Sequence, residues 1–126
     1  MRMQLNLVSF EQATALKNLG FPALSADWSY RNDGELYNFV DDDGYVTAAP
    51  TLELAAKWLR EEKQIMIDMI YEYRSPQSWS SNVTSRKHMK TVPVVGRGGN
   101  LWDDSYEVML SNAIDTALTV FLEQEV

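Results

Sequence analysis

The chain of 126 residues contains no cysteine. That excludes a disulfide framework, a thiolate nucleophile and any zinc site built on cysteine. Histidine occurs once, as His88. A mononuclear catalytic zinc site needs several His or Cys ligands, so this class is disfavoured too. His88 could serve a serine nucleophile only beside a positioned serine and carboxylate. No G-x-S-x-G elbow is present, and the residue sits in the basic stretch SRKHMK, which reads as a solvated loop. No apolar run approaches the ~20 residues of a membrane-spanning helix. The opening MRMQLNLVSF is too short and too polar for a secretory core. These absences lead us to expect a water-soluble, cytoplasmic protein with no membrane association.

What is present is ordinary for a globular chain. Apolar residues make up 45% and charged residues 23%. The 4 Trp, 6 Tyr and 4 Phe supply far more aromatic surface than a disordered chain carries. The length fits one domain over 1–126, with a core that forms without staples. Net charge is −7 and is unevenly placed. From Tyr73 to Trp102 no acidic residue occurs, while Arg74, Arg86, Lys87, Lys90 and Arg97 carry +5, which leaves −12 on the remainder. Such asymmetry points to a contact with an acidic surface, on a partner or on the chain itself.

Periodicity gives the elements. Ser9 with Gln12 three positions later is a capping-box pattern ahead of a helix over about 10–19, and Gly20 suits its C-terminal cap. ADWSYRNDGELYNFV alternates polar and apolar residues around Asn32-Asp33-Gly34, a hairpin signal. Thr51 precedes the helix TLELAAKWLREEK as N-cap. QIMIDMIYEY is a strand, with Ile65, Ile67, Met69, Tyr71 and Tyr73 on one face and Met66, Asp68, Ile70 and Glu72 on the other. Segments 78–84 and 91–95 are expected as two more strands joined by SRKHMK, with Pro93 near an edge or start. Asp104, with Glu107 three positions on, is expected to open a last helix whose apolar stripe runs from Tyr106 to Phe121. The expected fold class is α+β: an antiparallel sheet of four to five strands with three helices packed mainly on one face.

The motifs that invite a chemical reading mostly fail on spacing. DDDG at 41–44 resembles a calcium loop. With Gly44 in the sixth position of an EF-hand, Phe39 falls at position 1 and Pro50 at position 12, and neither offers a side-chain oxygen. Turn chemistry explains the stretch, so no metal and no cofactor is expected. GRGGN at 96–100 fits neither a dinucleotide fingerprint nor a phosphate loop. Asp68 and Glu72 share a strand face and could act as acid and base in a carboxylate-only enzyme, although solvent-facing strand positions account for them better. Arg86, Lys87 and Lys90, with Trp79, Trp102 and Tyr73, suggest basic residues among aromatics, as in single-strand nucleic-acid binding. Five positive charges against −12 disfavour it. Trp58 and Leu54 stand on the charged side of their helix. A covering loop or strand explains them, and a protein-contact anchor is the functional alternative.

Three segments, VSFEQATALKNLGF, APTLELAAKWLREEKQIMI and DDSYEVMLSNAIDTAL, resemble a family of small uncharacterised proteins of gut Bacteroidetes and of their phages and mobile elements. The resemblance covers about half the chain, at the helices, and stretch 75–100 falls outside it. It implies a bacterial or phage accessory role and lends no catalytic residue. The expectation is therefore a non-catalytic interaction protein whose partner is another protein or a second copy. Its partner-binding residues are Trp58 and Leu54, or the basic set Arg86, Lys87 and Lys90.

Overall fold

The computed structural model describes residues 6–22, 26–31, 34–37, 46–72 and 78–122. Among them are three α-helices and six strands, an α+β architecture. The strands form two antiparallel sheets of three, where the sequence suggested one sheet of four to five. Alternation identifies strands but not their partners. The chain divides into two compact units, one up to Ala55 and one from Ala56.

In the first unit, α1 (Phe10–Asn18) starts at the expected capping box. The Ser9 hydroxyl accepts from the Gln12 N–H at 3.1 Å, and the Gln12 side chain accepts from the Ser9 N–H at 2.9 Å. Gly20, at φ +101°, closes the helix as anticipated. The helix buries Gln12, Ala13 and Leu16. Its start carries Phe10 edge-on to Tyr30, with centroids 5.5 Å apart. The sheet runs β2–β1–β3, with β1 (Ser29–Arg31) central, β2 (Leu36–Tyr37) and β3 (Val46–Ala48) flanking. The β1–β2 turn is the one the sequence marked: Gly34 takes φ +84° and the Arg31 N–H donates to the Glu35 carbonyl at 2.9 Å. The Tyr30 hydroxyl donates to the Val8 carbonyl at 2.8 Å, and burial, with Glu11 nearby, holds its phenol above the ordinary range. The DDDG stretch lies outside the described residues.

The second helix, α2 (Leu52–Lys63), is capped by Thr51, whose hydroxyl accepts from the Leu54 N–H at 3.1 Å. Leu52, Ala55 and Leu59 are buried along its narrow apolar face. The second unit's sheet runs β4 (Ile65–Glu72), β5 (Ser78–Ser85), β6 (Lys90–Pro93), in that order. Its alternation is as the sequence predicted. Ile65, Val83, Ser81 and Ser85 are buried on one face, whereas Met66, Asp68 and Ile70 are exposed on the other. The last strand stops at Pro93, earlier than expected, although the Val94 N–H just beyond it still donates to the Ser81 carbonyl at 2.9 Å.

Helix α3 (Tyr106–Thr116) packs against β4 and β5 and buries Met109, Leu110, Ala113 and Ile114. It continues into a wider π-type turn, Ala117–Phe121. Its cap differs from the expectation. Ser105, not Asp104, accepts from the Val108 N–H at 3.2 Å. Asp104 instead joins Asp103 on Arg97: the guanidinium reaches Asp103 at 2.7 Å and Asp104 at 2.8 Å. Asp103 is only 4% exposed, and the Arg97 hydrogen bonds hold its carboxyl far below the ordinary range. Gly96 is obligatory at the entry to this loop, because an added Cβ would lie 2.7 Å from the Trp102 carbonyl oxygen.

Candidate functional site

The turn joining β5 to β6 is built by its own sequence. The Ser85 hydroxyl lies 2.7 Å from His88 Nδ1 and accepts from the His88 N–H at 3.2 Å, a serine-capped turn. The His88 ring stacks on Phe121 with centroids 5.5 Å apart. The histidine read as a free loop residue is therefore a fixed part of the turn, although its surface remains exposed. Ser85 is buried and its partner nitrogen is the near one, three residues on. This is turn geometry and not a nucleophile with its base. Met89 closes the turn at φ +53°, a conformation that residues other than glycine adopt at a cost.

A second such residue faces it. Gln64 links α2 to β4 at φ +56°, and its carbonyl accepts from the Arg86 N–H at 3.0 Å. Between these two points lies a groove of about 570 Å³. Register explains its floor: Met66 on β4 pairs with Thr84 on β5, which pairs with Thr91 on β6, so all three share the exposed face of the sheet. Met66 is 50% exposed and Met89 87%. The two threonine hydroxyls bond each other at 2.9 Å. Arg60 from α2, Arg86 from the turn and Lys90 at the start of β6 add to the lining, and among the described residues no carboxylate belongs to it.

The sequence candidates divide accordingly. Arg86 and Lys90 come together on the groove, while Lys87, in the same turn, is exposed and does not line it. Trp58 is half-buried, with the Lys63 ammonium 5.8 Å from its ring centroid. Leu54 is half-buried too, and lines a separate hollow of about 280 Å³ in the first unit, with Trp28, Asp27 and Glu53. Asp68 and Glu72 line neither hollow. Four residues of strand separate them by about 13 Å, more than the roughly 5–9.5 Å at which paired carboxylates cooperate on a bond. Trp79 is engaged between Tyr71 and Tyr106, each 4.8 Å away between centroids, and forms no open stacking platform. Among the described residues no group of three or more His, Asp or Glu side chains is placed to hold a metal, and no helix is long and apolar enough to cross a membrane.

Arg60 and Met66 were not among the sequence candidates. Arg60 reads as one more charge on a helix. Met66 and Ile70, apolar residues on the face of QIMIDMIYEY that also carries Asp68 and Glu72, were the signal available in the sequence. No family model, curated protein or solved structure matches the chain.

Proposed function

We propose that this is a non-catalytic protein-interaction protein, an accessory factor of a bacterium or its phage, and that its contact surface is the groove bounded by Arg60, Arg86 and Lys90. The observation that carries the reading is the lining itself: three cations and two exposed methionines, with no carboxylate among the described residues that line it. Exposed apolar surface rimmed by charge of one sign is what a recognition surface offers, and methionine adapts to varied partners. Of the two surfaces named from the sequence, the basic turn fits this role better, because Trp58 and Leu54 are each half-buried. The carboxylate-enzyme alternative loses support from the separation of Asp68 and Glu72. The nucleic-acid alternative loses it from the engagement of Trp79.

The test is affinity capture from a bacterial lysate with the wild-type chain and with the double variant Arg86→Glu, Lys90→Glu, both checked for folding by circular dichroism. Proteins retained by the first and lost by the second support the reading. Identical captured sets remove the groove as the contact surface.

A further inference from the structure

We infer that the groove takes an extended peptide segment in which aspartate or glutamate alternates with apolar side chains. The inference rests on the interaction reading above and specifies the partner's chemistry.

Charge decides the sign of the ligand. Arg60, Arg86 and Lys90 approach the groove, and among the described residues no acidic one lines it. The chain as a whole carries −7, so a long polyanion meets repulsion from the rest of the molecule. A short acidic stretch does not, because charges beyond a Debye length of about 8 Å are screened at physiological salt. The anionic ligand is therefore short or local. Guanidinium groups suit carboxylates through paired N–H donors.

The floor decides the rest. Thr84 and Thr91 share one hydrogen bond, and the exposed apolar part of the lining is the side chains of Met66 on the floor and Met89 on the turn. A purely charged ligand would leave that apolar surface wet. A ligand with apolar side chains between its carboxylates covers it while its charges reach the rim. In an extended peptide successive side chains point to opposite sides and every second one shares a side, so the apolar set can cover the methionines while the carboxylates stand off the floor toward the cationic edge. Among the described residues no aromatic side chain lines the groove to offer base stacking, the main sequence-tolerant attraction for single-stranded nucleic acid.

The backbone supplies an independent argument. Gln64 and Met89 occupy left-handed conformations for which glycine is the least costly residue. Both instead carry side chains, and both side chains line the groove. Conformational cost retained at a surface with exposed, unfilled chemistry is characteristic of a binding site.

The experiment uses the full chain and fluorescence anisotropy with four labelled probes. These are an eight-residue peptide alternating aspartate with leucine, the same peptide with asparagine for aspartate, an octa-aspartate, and oligothymidylate. The expected result is saturable binding of the first, weakened by added salt, with each of the other three at least about tenfold weaker. Arg86→Glu with Lys90→Glu should remove binding. Met89→Gly should weaken it severalfold while the melting temperature stays at the wild-type value. If the charge-reversed chain misfolds, Lys90→Gln with Arg60→Gln serves, with a smaller loss expected. Equal binding of the asparagine peptide or of octa-aspartate, or stronger binding of oligothymidylate, overturns the inference. So does concentration-dependent self-association in sedimentation that the same substitutions abolish while no peptide binds, since the occupant is then a second copy. If capture from lysate depends on the groove and the acidic peptide still does not bind, the interaction reading stands and only the proposed ligand falls.

Discussion

The hollow in the first unit and the groove in the second share a plan and differ in sign. Each pairs an apolar base with charges at its margin. In the first, Trp28 and Leu54 meet Asp27 and Glu53; in the second, Met66 and Met89 meet Arg60, Arg86 and Lys90. The difference runs through the sequence. Before Ala56 the chain has eight acidic and three basic side chains, whereas from Ala56 to Gln124 the numbers are nine and eight. A net charge of −7 thus conceals a nearly balanced second unit, and among its described residues no carboxylate belongs to the groove lining. Asp103, the buried one, is neutralised by Arg97. Local charge at a site is a property of which side chains face it, and the total predicts it poorly.

The contrast matters only if the groove stands on a fixed sheet, and the largest expected effect tests that support. Ile65 sits on the covered face of β4, beside Met66, and is 1% exposed. Ile65→Ala should cost about 2–4 kcal/mol of stability in chemical denaturation through lost burial and the cavity left behind. Ile70→Ala, on the open face of the same strand, should stay within ~0.5 kcal/mol. Similar losses at both positions would mean that the open face is packed, and the groove would lose its meaning as an exposed surface.

Asp103 tests why the second unit can present a basic surface despite its nine acids. Its folded-state pKa is depressed by Arg97. A group shifted in this direction contributes stability above its unfolded pKa, near 3.9, and loses that contribution as pH falls toward the folded value. Asp103→Asn should therefore lower the melting temperature at pH 7, and the gap to wild type should narrow progressively below about pH 4. A gap independent of pH down to acid denaturation would show that the carboxylate's charge is not what holds the Gly96–Asp104 loop.

Much of this was legible in the residues. Ser9 with Gln12, Gly34, Thr51 and the alternation of Ile65 to Tyr71 named their elements, because each signal is local and has one mechanism. Ser105 displaced Asp104 as helix cap because Asp104 has a competing partner, Arg97, seven residues back. Sequence spacing does not display that competition. The division into two sheets escaped for a related reason: β1 could pair with any strand of matching pattern, and the choice of β3 is a long-range event. Arg86 and Lys90 were visible as a basic run, whereas Arg60 joins them only through the fold, about 26 positions away.

Charge reversal separates the two hollows directly. Arg86→Glu with Lys90→Glu should reduce binding of an acidic peptide at least about tenfold, near 1.4 kcal/mol, and the loss should be greatest at low salt. Asp27→Asn with Glu53→Gln should leave that binding within about twofold, since only screened, long-range charge is removed. An equal loss from both pairs, read by anisotropy, would mean that the sign difference between the hollows has no functional content.

The smallest effect compares the two turns. The β1–β2 turn places glycine at its left-handed position, Gly34 at φ +84°, whereas the β5–β6 turn places Met89 at φ +53°. If both turns were purely structural, glycine would be the better choice in each. Gly34→Ala should cost about 1 kcal/mol, because the added Cβ is strained there even though the surrounding space is open. Met89→Gly should relieve a strain of similar size, but it also frees the unfolded chain, so stability should stay within ~0.5 kcal/mol of wild type. The side chain at 89 then has no net structural value, and its loss is felt only in ligand binding. A clear destabilisation by Met89→Gly, measured by thermal melting, would instead make Met89 a packing residue of the turn, and the case for the groove as a recognition surface would rest on its cations alone.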